Sequence, residues 1–150
     1  MVLDFESELA LLEKDFSIQK IAVLATSLNN DISIRSMSIV LIDHKIYFQT
    51  DSRMKKYKQI LGNSNVALNI GTIAVEGQAN ILGKANEHKI FVDVFSKIHP
   101  ISYKNYTNIN TEVVIAVTIE KIKIWLYMDE KPFEKIFNIK QKTVELIEFY

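Results

Sequence analysis

The chain of 150 residues contains no cysteine. That single absence removes disulfides, thiolate nucleophiles, iron–sulfur clusters and cysteine-based zinc sites together. Proline occurs 2 times and glycine 4 times, too sparsely for a linker or a low-complexity stretch. Net charge is missing as well, since 18 basic residues balance 18 acidic ones. A protein that works on nucleic acid or on an acidic membrane carries a basic excess. Long apolar runs are absent: Val113-Val114-Ile115-Ala116-Val117 is among the longest, far short of the roughly 20 residues of a bilayer-spanning helix. The opening acidic residues Asp4, Glu6 and Glu8 do not form the basic flank of a leader peptide. The expectation is a soluble, cytoplasmic protein with neither nucleic-acid nor membrane partners.

Chemistry motifs are missing too. His44, His88 and His99 are scattered and form no metal-spaced pair, so no metal site is expected. The glycine-rich dinucleotide and phosphate-loop patterns and the serine elbow of hydrolases do not occur.

What is present is a 48% hydrophobic sequence of a length suited to one compact domain over residues 1–150. Leu9, Leu12 and Phe16 at helical spacing predict an amphipathic helix between Leu3 and Phe16. Strands are predicted at 20–26, 32–41 and 45–50, separated by the turn residues Asn29-Asn30-Asp31 and Asp43-His44. A hairpin follows, with strands 66–70 and 75–82 joined across Gly71-Thr72. Ile90, Phe91, Val94, Phe95 and Ile98 predict a second helix over 87–97, closed by His99-Pro100. Strands at 111–119 and 122–127, a turn at 129–132, an edge strand at 133–139 and a short helix at 142–149 complete the reading. At least six short strands with sparse helices predict a mainly β protein, a small closed or nearly closed antiparallel barrel.

One segment carries an unusual charge. Between strand 45–50 and the apolar positions Tyr57, Ile60 and Leu61 lies Asp51-Ser52-Arg53-Met54-Lys55-Lys56. With Asp51 or Ser52 as N-cap, the first helical turn holds Arg53, Lys55 and Lys56. Free backbone N–H groups and the helix dipole already make that end positive, and acidic residues are preferred there. A bound anion makes such a turn favourable, and a phosphate group fits; solvated lysines are the plainer alternative. Along strand 32–41, Ser36 and Ser38 share one face and Arg35 and Met37 the other. Small hydroxyl residues leave room for a flat ligand, or form a half-exposed serine ladder. Arg35 in an apolar stretch needs a carboxylate or a phosphate. Gly77 marks a bulge or a close approach, Gln78 is a ligand contact or a solvated side chain, and Trp125 is by default a core or interface aromatic. No side chain stands out as an acid or a base.

Taken in order, Arg35-Ser36-Met37-Ser38, Ile46 to Thr50, Lys55-Lys56 with Gln59-Ile60, Asn63 to Leu68 and Val75-Glu76-Gly77-Gln78 resemble the pyridoxamine 5′-phosphate oxidase-like family of FMN-binding split barrels. Phe95 with His99-Pro100, and Trp125 with Lys131-Pro132-Phe133, resemble its shorter members. The likeness implies a six-stranded antiparallel barrel that forms a homodimer with FMN at the interface. It implies that Arg35, Lys55 and Lys56, helped by Thr50, hold the FMN phosphate. Ser36, Met37 and Ser38 would border the flavin ring, Gln49 and Gln78 would meet its polar groups, and Trp125 would approach from the partner subunit.

The departures from the family are specific. Val40 stands where true pyridoxamine phosphate oxidases have a substrate-binding lysine, Met54 replaces the serine before the basic pair, and Leu126-Tyr127-Met128-Asp129 replaces their arginine- and histidine-bearing C-terminal segment. The resemblance therefore points away from vitamin B6 oxidation and toward short nitroimidazole-resistance-type and general-stress-type flavoproteins. It implies an FMN-dependent oxidoreductase acting on a small molecule, with NAD(P)H as a candidate donor. A non-catalytic flavin store or redox sensor is the alternative. So is a haem or deazaflavin barrel, the haem form requiring His99 to face the cleft.

Overall fold

The computed structural model describes residues 3–18 and 20–150. Helix α1 (Phe5–Ile18) leads into nine strands: β1 (Ile21–Leu28), β2 (Asp31–Ser38), β3 (Val40–Ile42), β4 (Lys45–Asp51), β5 (Asn65–Ile70), β6 (Ile73–Lys84), β7 (Glu112–Met128), β8 (Lys131–Asn138) and β9 (Thr143–Glu148). Helix α2 (Lys55–Gly62) joins β4 to β5, and helix α3 (Lys89–Ile98) lies between β6 and β7.

All strand pairs are antiparallel, in the order β2-β1-β5-β6-β7-β4-β3, with β8 on β7 and β9 on β8. The two ends of this path are neighbours in the chain: β2 stops at Ser38 and β3 begins at Val40. Ile39, between them, donates its N–H to the Lys20 carbonyl at 3.0 Å. The sheet is thereby bent back on itself into a barrel, with β9, paired only with β8, left as an edge strand.

Turn chemistry fixes the hairpins. Asn29-Asn30, Asp43-His44 and Asp129-Glu130 all take positive φ at both positions, between 49° and 66°, the backbone that two-residue hairpins with a right-handed strand twist require. Asn and Asp reach that region at low cost, and these turns lie where the turn residues predict them.

Alternation along the strands fills the interior. Leu24, Ile46, Phe48, Leu68, Val75, Val117 and Ile122 are buried inside the barrel, capped by Leu12 and Phe16 of α1. Each such side chain contributes about 1.5–3 kcal/mol by leaving water. A second, smaller core lies outside the barrel wall, where Phe91 and Phe95 of α3, stacked at 4.8 Å, pack on Val40, Ala85 and Val114.

Three expectations need correction. The segments 111–119 and 122–127 form one strand of 17 residues, β7. Its pairing slips where Glu76 faces Lys121 and Gly77 faces Ile119, so Glu120 sits in a bulge that bends the strand without ending it. The segment at 133–139 is not an edge, because β8 is paired on both sides. The last segment, 143–148, is the strand β9 and not a helix; pairing with β8 overrides its ambiguous local pattern.

The bulge explains Gly77. A Cβ there would lie 2.4 Å from the Thr118 carbonyl oxygen and 2.8 Å from a Val117 methyl group. Gly77→Ala is therefore expected to destabilise the fold by about 1–3 kcal/mol through overpacking, read as a lower midpoint in urea unfolding.

Candidate functional site

Helix α2 does not start as its sequence predicts. The N-cap is Met54, with no side-chain cap, and the first helical residues are Lys55 and Lys56. Asp51 instead accepts from the Arg53 backbone N–H at 2.9 Å and from its guanidinium at 2.7 and 3.0 Å. This pairing holds the Asp51 carboxylate well below its usual pKa range and takes Arg53 out of the first turn. The N-terminal amides of α2 thus have no carboxylate or hydroxyl cap.

The buried face of α2 is polar: Lys56, Gln59 and Ile60. Leu61, expected on that face, is exposed. Gln59 explains how the helix is held. Arg35 Nη1 donates to Thr26 Oγ1 at 2.7 Å, Thr26 donates to Gln59 Oε1 at 2.5 Å, and Gln59 Nε2 donates to the Asp31 carbonyl at 2.9 Å. This relay ties β2, β1 and α2 together and directs Lys56 inward.

Lys56 is only 7% exposed. Its Nζ donates to Thr50 Oγ1 at 3.1 Å and lies 3.5 Å from the Met54 sulfur. Among the described residues no carboxylate lies within ion-pair distance of it. Burial, and then the positive charge of Arg35, push its pKa down. Arg35 too has only neutral partners, Thr26 and the Leu24 carbonyl. Two cations therefore sit close together, partly desolvated, with hydroxyls, a carbonyl and a thioether for company. Leaving such charge without a counter-ion is costly.

Lys56 and Thr50 line a cavity of about 680 Å³ with Gln49, Met54, Tyr106 and Glu112. A smaller hollow of about 140 Å³ continues past Ser36, Met37, Ser38 and Ser102, and shares Gln49, Tyr106 and Glu112 with the larger one. The structure thus brings Lys56, Thr50, Gln49, Ser36, Met37 and Ser38 to one connected cleft, with Arg35 behind it. Gln49 also has a positioning role: its Oε1 accepts from Thr107 at 2.8 Å, anchoring the helical segment 100–107 whose Tyr106 walls the cleft.

The remaining candidates lie elsewhere. Lys55 pairs with Asp31 at 2.9 Å on the surface. Gln78 bonds Ser64, Asn65 and Glu120 on the outward side of β5, β6 and β7, beside a separate hollow of about 350 Å³. Trp125 is 41% exposed and packs edge-on against Phe149 at 4.9 Å. His99 is buried, with its ring 4.9 Å from that of Phe95 and its Nε2 donating to the Ile39 carbonyl at 2.8 Å. That nitrogen is occupied by a backbone bond, so it is not presented for iron. No cluster of metal-ligating side chains occurs among the described residues.

Several solved structures share this fold. An FMN-binding, pyridoxamine 5′-phosphate oxidase-related protein of Nostoc punctiforme PCC 73102 is 12% identical and superposes with a TM-score of 0.63 over 99% of this chain and 98% of its own. The chain has the pyridoxamine 5′-phosphate oxidase-like split-barrel fold. PhzG of Burkholderia lata 383, solved with tetrahydrophenazine-1-carboxylic acid, is 13% identical with a TM-score of 0.69 over 99% of this chain and 96% of its own. HutZ of Vibrio cholerae, a haem storage protein, is 9% identical with a TM-score of 0.66 over 81% and 95%. No family model and no curated relative matches the chain at the level of sequence. Among the described residues no helix of this split barrel is long and apolar enough to cross a membrane.

One residue of the split-barrel cleft escaped sequence reasoning. Glu112 is 6% exposed and lines both parts of the cleft. Burial, and next the Asp51 charge across the β4–β7 pair, push its pKa up to about 7, against a smaller opposing pull from Lys56. An acid or base is therefore present after all. Nothing in the run Asn110-Thr111-Glu112-Val113 sets this glutamate apart; its burial comes from β4 and from Tyr106, which are distant in sequence.

The raised pKa fixes a sign. The folded state holds the Glu112 proton more tightly than the unfolded chain does, so its contribution to stability is complete below about pH 4.5 and is lost as pH rises through about 7. Glu112→Gln removes that loss. Relative to the variant, the natural protein is expected to lose up to about 3 kcal/mol of stability between pH 5 and pH 8, measured by urea unfolding of both at the two pH values.

Proposed function

We propose that the protein is an FMN-binding flavoprotein that seats the flavin phosphate at the start of α2. The observation that carries this reading is Lys56, a buried ammonium with only neutral partners on the wall of a cavity of about 680 Å³. A helix start without a side-chain cap supplies further donors suited to an anion. The residues fit the group: Lys56, Thr50 and the α2 amides would hold the phosphate, with Arg35 contributing its field from behind. Ser36, Met37, Ser38 and Gln49 would border the ring system along the junction of the two hollows. One protein of the same fold is described as FMN-binding and pyridoxamine 5′-phosphate oxidase-related and another as a pyridoxamine 5′-phosphate oxidase, which supports the choice of flavin over another phosphate ester.

FMN, when bound, supplies hydride and electron transfer, while the chain supplies binding, orientation and the local field. The proposed activity is oxidation or reduction of a small molecule, with a nicotinamide as the first donor to try. A haem reading is less well supported, because His99 Nε2 is committed to the Ile39 carbonyl.

The proposal includes a homodimer. Ile21, Ile32 and Ile34 are 52%, 72% and 68% exposed on the outward face of β1 and β2, an apolar patch that a second copy would cover. Such an assembly would let Gln78 and Trp125, both remote from the Lys56 cleft within one chain, reach the cleft of the other. Ile34→Glu is expected to yield a monomer in analytical ultracentrifugation where the natural protein sediments as two chains. Sedimentation of the natural protein as a single chain would remove the dimer from the proposal.

Lys56→Met separates a ligand-binding lysine from a structural one. FMN affinity, followed by flavin fluorescence, is expected to weaken by about 1–3 kcal/mol, the range for a hydrogen bond to a charged group. The stability of the flavin-free protein should hold or rise, because a buried uncompensated charge has been removed. Unchanged FMN affinity would take Lys56 out of the site. Reduction of the bound flavin by NADH or NADPH in the absence of oxygen, with turnover of an added acceptor, distinguishes an enzyme from a flavin store.

A further inference from the structure

Resting on the flavin-phosphate reading above, we infer that this cleft takes up a proton together with its anionic ligand, and that the Glu112 carboxyl carries it. The argument is charge balance inside a desolvated space. Of the ionic groups around the cleft, Asp51 and Arg53 neutralise each other at 2.7 Å. Lys84, on the β6 strand that pairs with Val113, is turned to the Asn110 side chain at 2.7 Å. Lys56 in the lining and Arg35, close enough to act on it, remain as the cations, and Glu112 as the carboxyl, with the Tyr106 hydroxyl side chain in the same lining.

A phosphate monoester brings close to two negative charges above its second pKa of about 6. Two cations balance it only when Glu112 is neutral. An ionised Glu112 adds a third negative charge in a medium where like charges interact strongly. Protonation also reverses the hydrogen-bonding sense of the group: a carboxylate only accepts, whereas a carboxylic acid donates. The Glu112 carboxyl has no hydrogen-bond partner among the described side chains, so its donor is available to a ligand oxygen in the cleft. Binding draws a proton from solvent onto this oxygen, and departure of the ligand returns it.

The experiment is an FMN titration of the flavin-free protein at pH 7, 8 and 9, where the ligand phosphate, with its second pKa of about 6, is about nine-tenths ionised or more. Natural protein and Glu112→Gln are compared, since glutamine is a permanent, neutral donor of nearly the same shape. The natural protein should lose at least tenfold in FMN affinity between pH 7 and pH 9. Glu112→Gln should change by less than about threefold and bind more tightly than the natural protein at pH 9. Burial and the Arg35 charge push the Lys56 pKa down, and any loss of its charge on raising the pH would weaken binding in both proteins. The variant separates the two effects, since Glu112→Gln leaves Lys56 in place, and an equal slope in both proteins overturns the inference. A flat profile in the natural protein also overturns it.

Inorganic phosphate serves as a second probe, displacing nothing and needing no flavin. Because inorganic phosphate itself titrates near neutral pH, it is compared at pH 8 and 9 only: a fall in its affinity that Glu112→Gln abolishes, without FMN binding, upholds the proton coupling and rejects the flavin. Absence of binding by both probes rejects both. Calorimetric titration in two buffers of different ionisation enthalpy gives the direct count, with close to one proton taken up per ligand at pH 8 in the natural protein and fewer in the variant.

Discussion

Holding an ammonium in a largely buried place, with no carboxylate among the described residues within ion-pair distance, is the constraint from which the site follows. Lys56 enters the protein interior with the first turn of α2, and its contacts there are a threonine hydroxyl and a methionine sulfur. A chain optimised for stability alone would put a methionine or leucine at this position, since desolvating a charge is rarely repaid by neutral partners. The arrangement makes physical sense when stability is set against recognition of an anion. Residues that lower stability at rest and raise affinity for a ligand are the usual composition of binding clefts.

The polar relay from Arg35 through Thr26 and Gln59 to the Asp31 carbonyl keeps that lysine aimed. Helix α2 is short, and helices of its length are marginal by themselves. Its hydrophobic contribution is small, since Ile60 is its one fully buried apolar side chain. Gln59 replaces the missing apolar contacts with directional hydrogen bonds to two strands. A directional anchor fixes the rotation of the helix about its axis better than greasy packing does, and rotation is what determines whether residue 56 faces the cleft or the solvent.

How much of this was legible in the sequence can be judged element by element. The hairpin turns were, because Asn29-Asn30, Asp43-His44 and Gly71-Thr72 carry residues that tolerate the left-handed backbone and sit between alternating apolar segments. The barrel class followed from the number and shortness of the strands. The continuity of β7 was not legible: Glu120-Lys121 breaks the apolar pattern, and only the pairing with Glu76 and Gly77 shows that a bulge absorbs the interruption. Strand β9 was missed because Thr143-Val144-Glu145-Leu146-Ile147-Glu148 suits either period, and its partner β8 decides. At the site, the basic pair pointed to an anion, but the charge pattern could not tell a buried lysine from a surface one. Lys56 turned inward and Lys55 outward to Asp31, a difference of one residue around a helix. Glu112 left no local trace, since its character is created by burial.

The partition of charge around the cleft has a consequence for how the protein responds to its surroundings. Asp51 and Arg53 form a closed pair whose members stay ionised over the whole physiological range; they set the geometry of the loop before α2, and the fixed Asp51 charge disfavours ionisation of Glu112. Lys56 and Glu112 differ in kind. Each is buried, each is pushed toward its neutral form by that burial, and each is pulled back toward ionisation by the other. Their protonation states are therefore coupled to each other and to whatever charge enters between them. An entering anion favours the ammonium and disfavours the carboxylate, so both groups shift in the direction that admits it. Rigid placement by the barrel and adjustable charge in the lining are thus separate properties, the first carried by the strands and the second by two side chains that the strands bring to one wall.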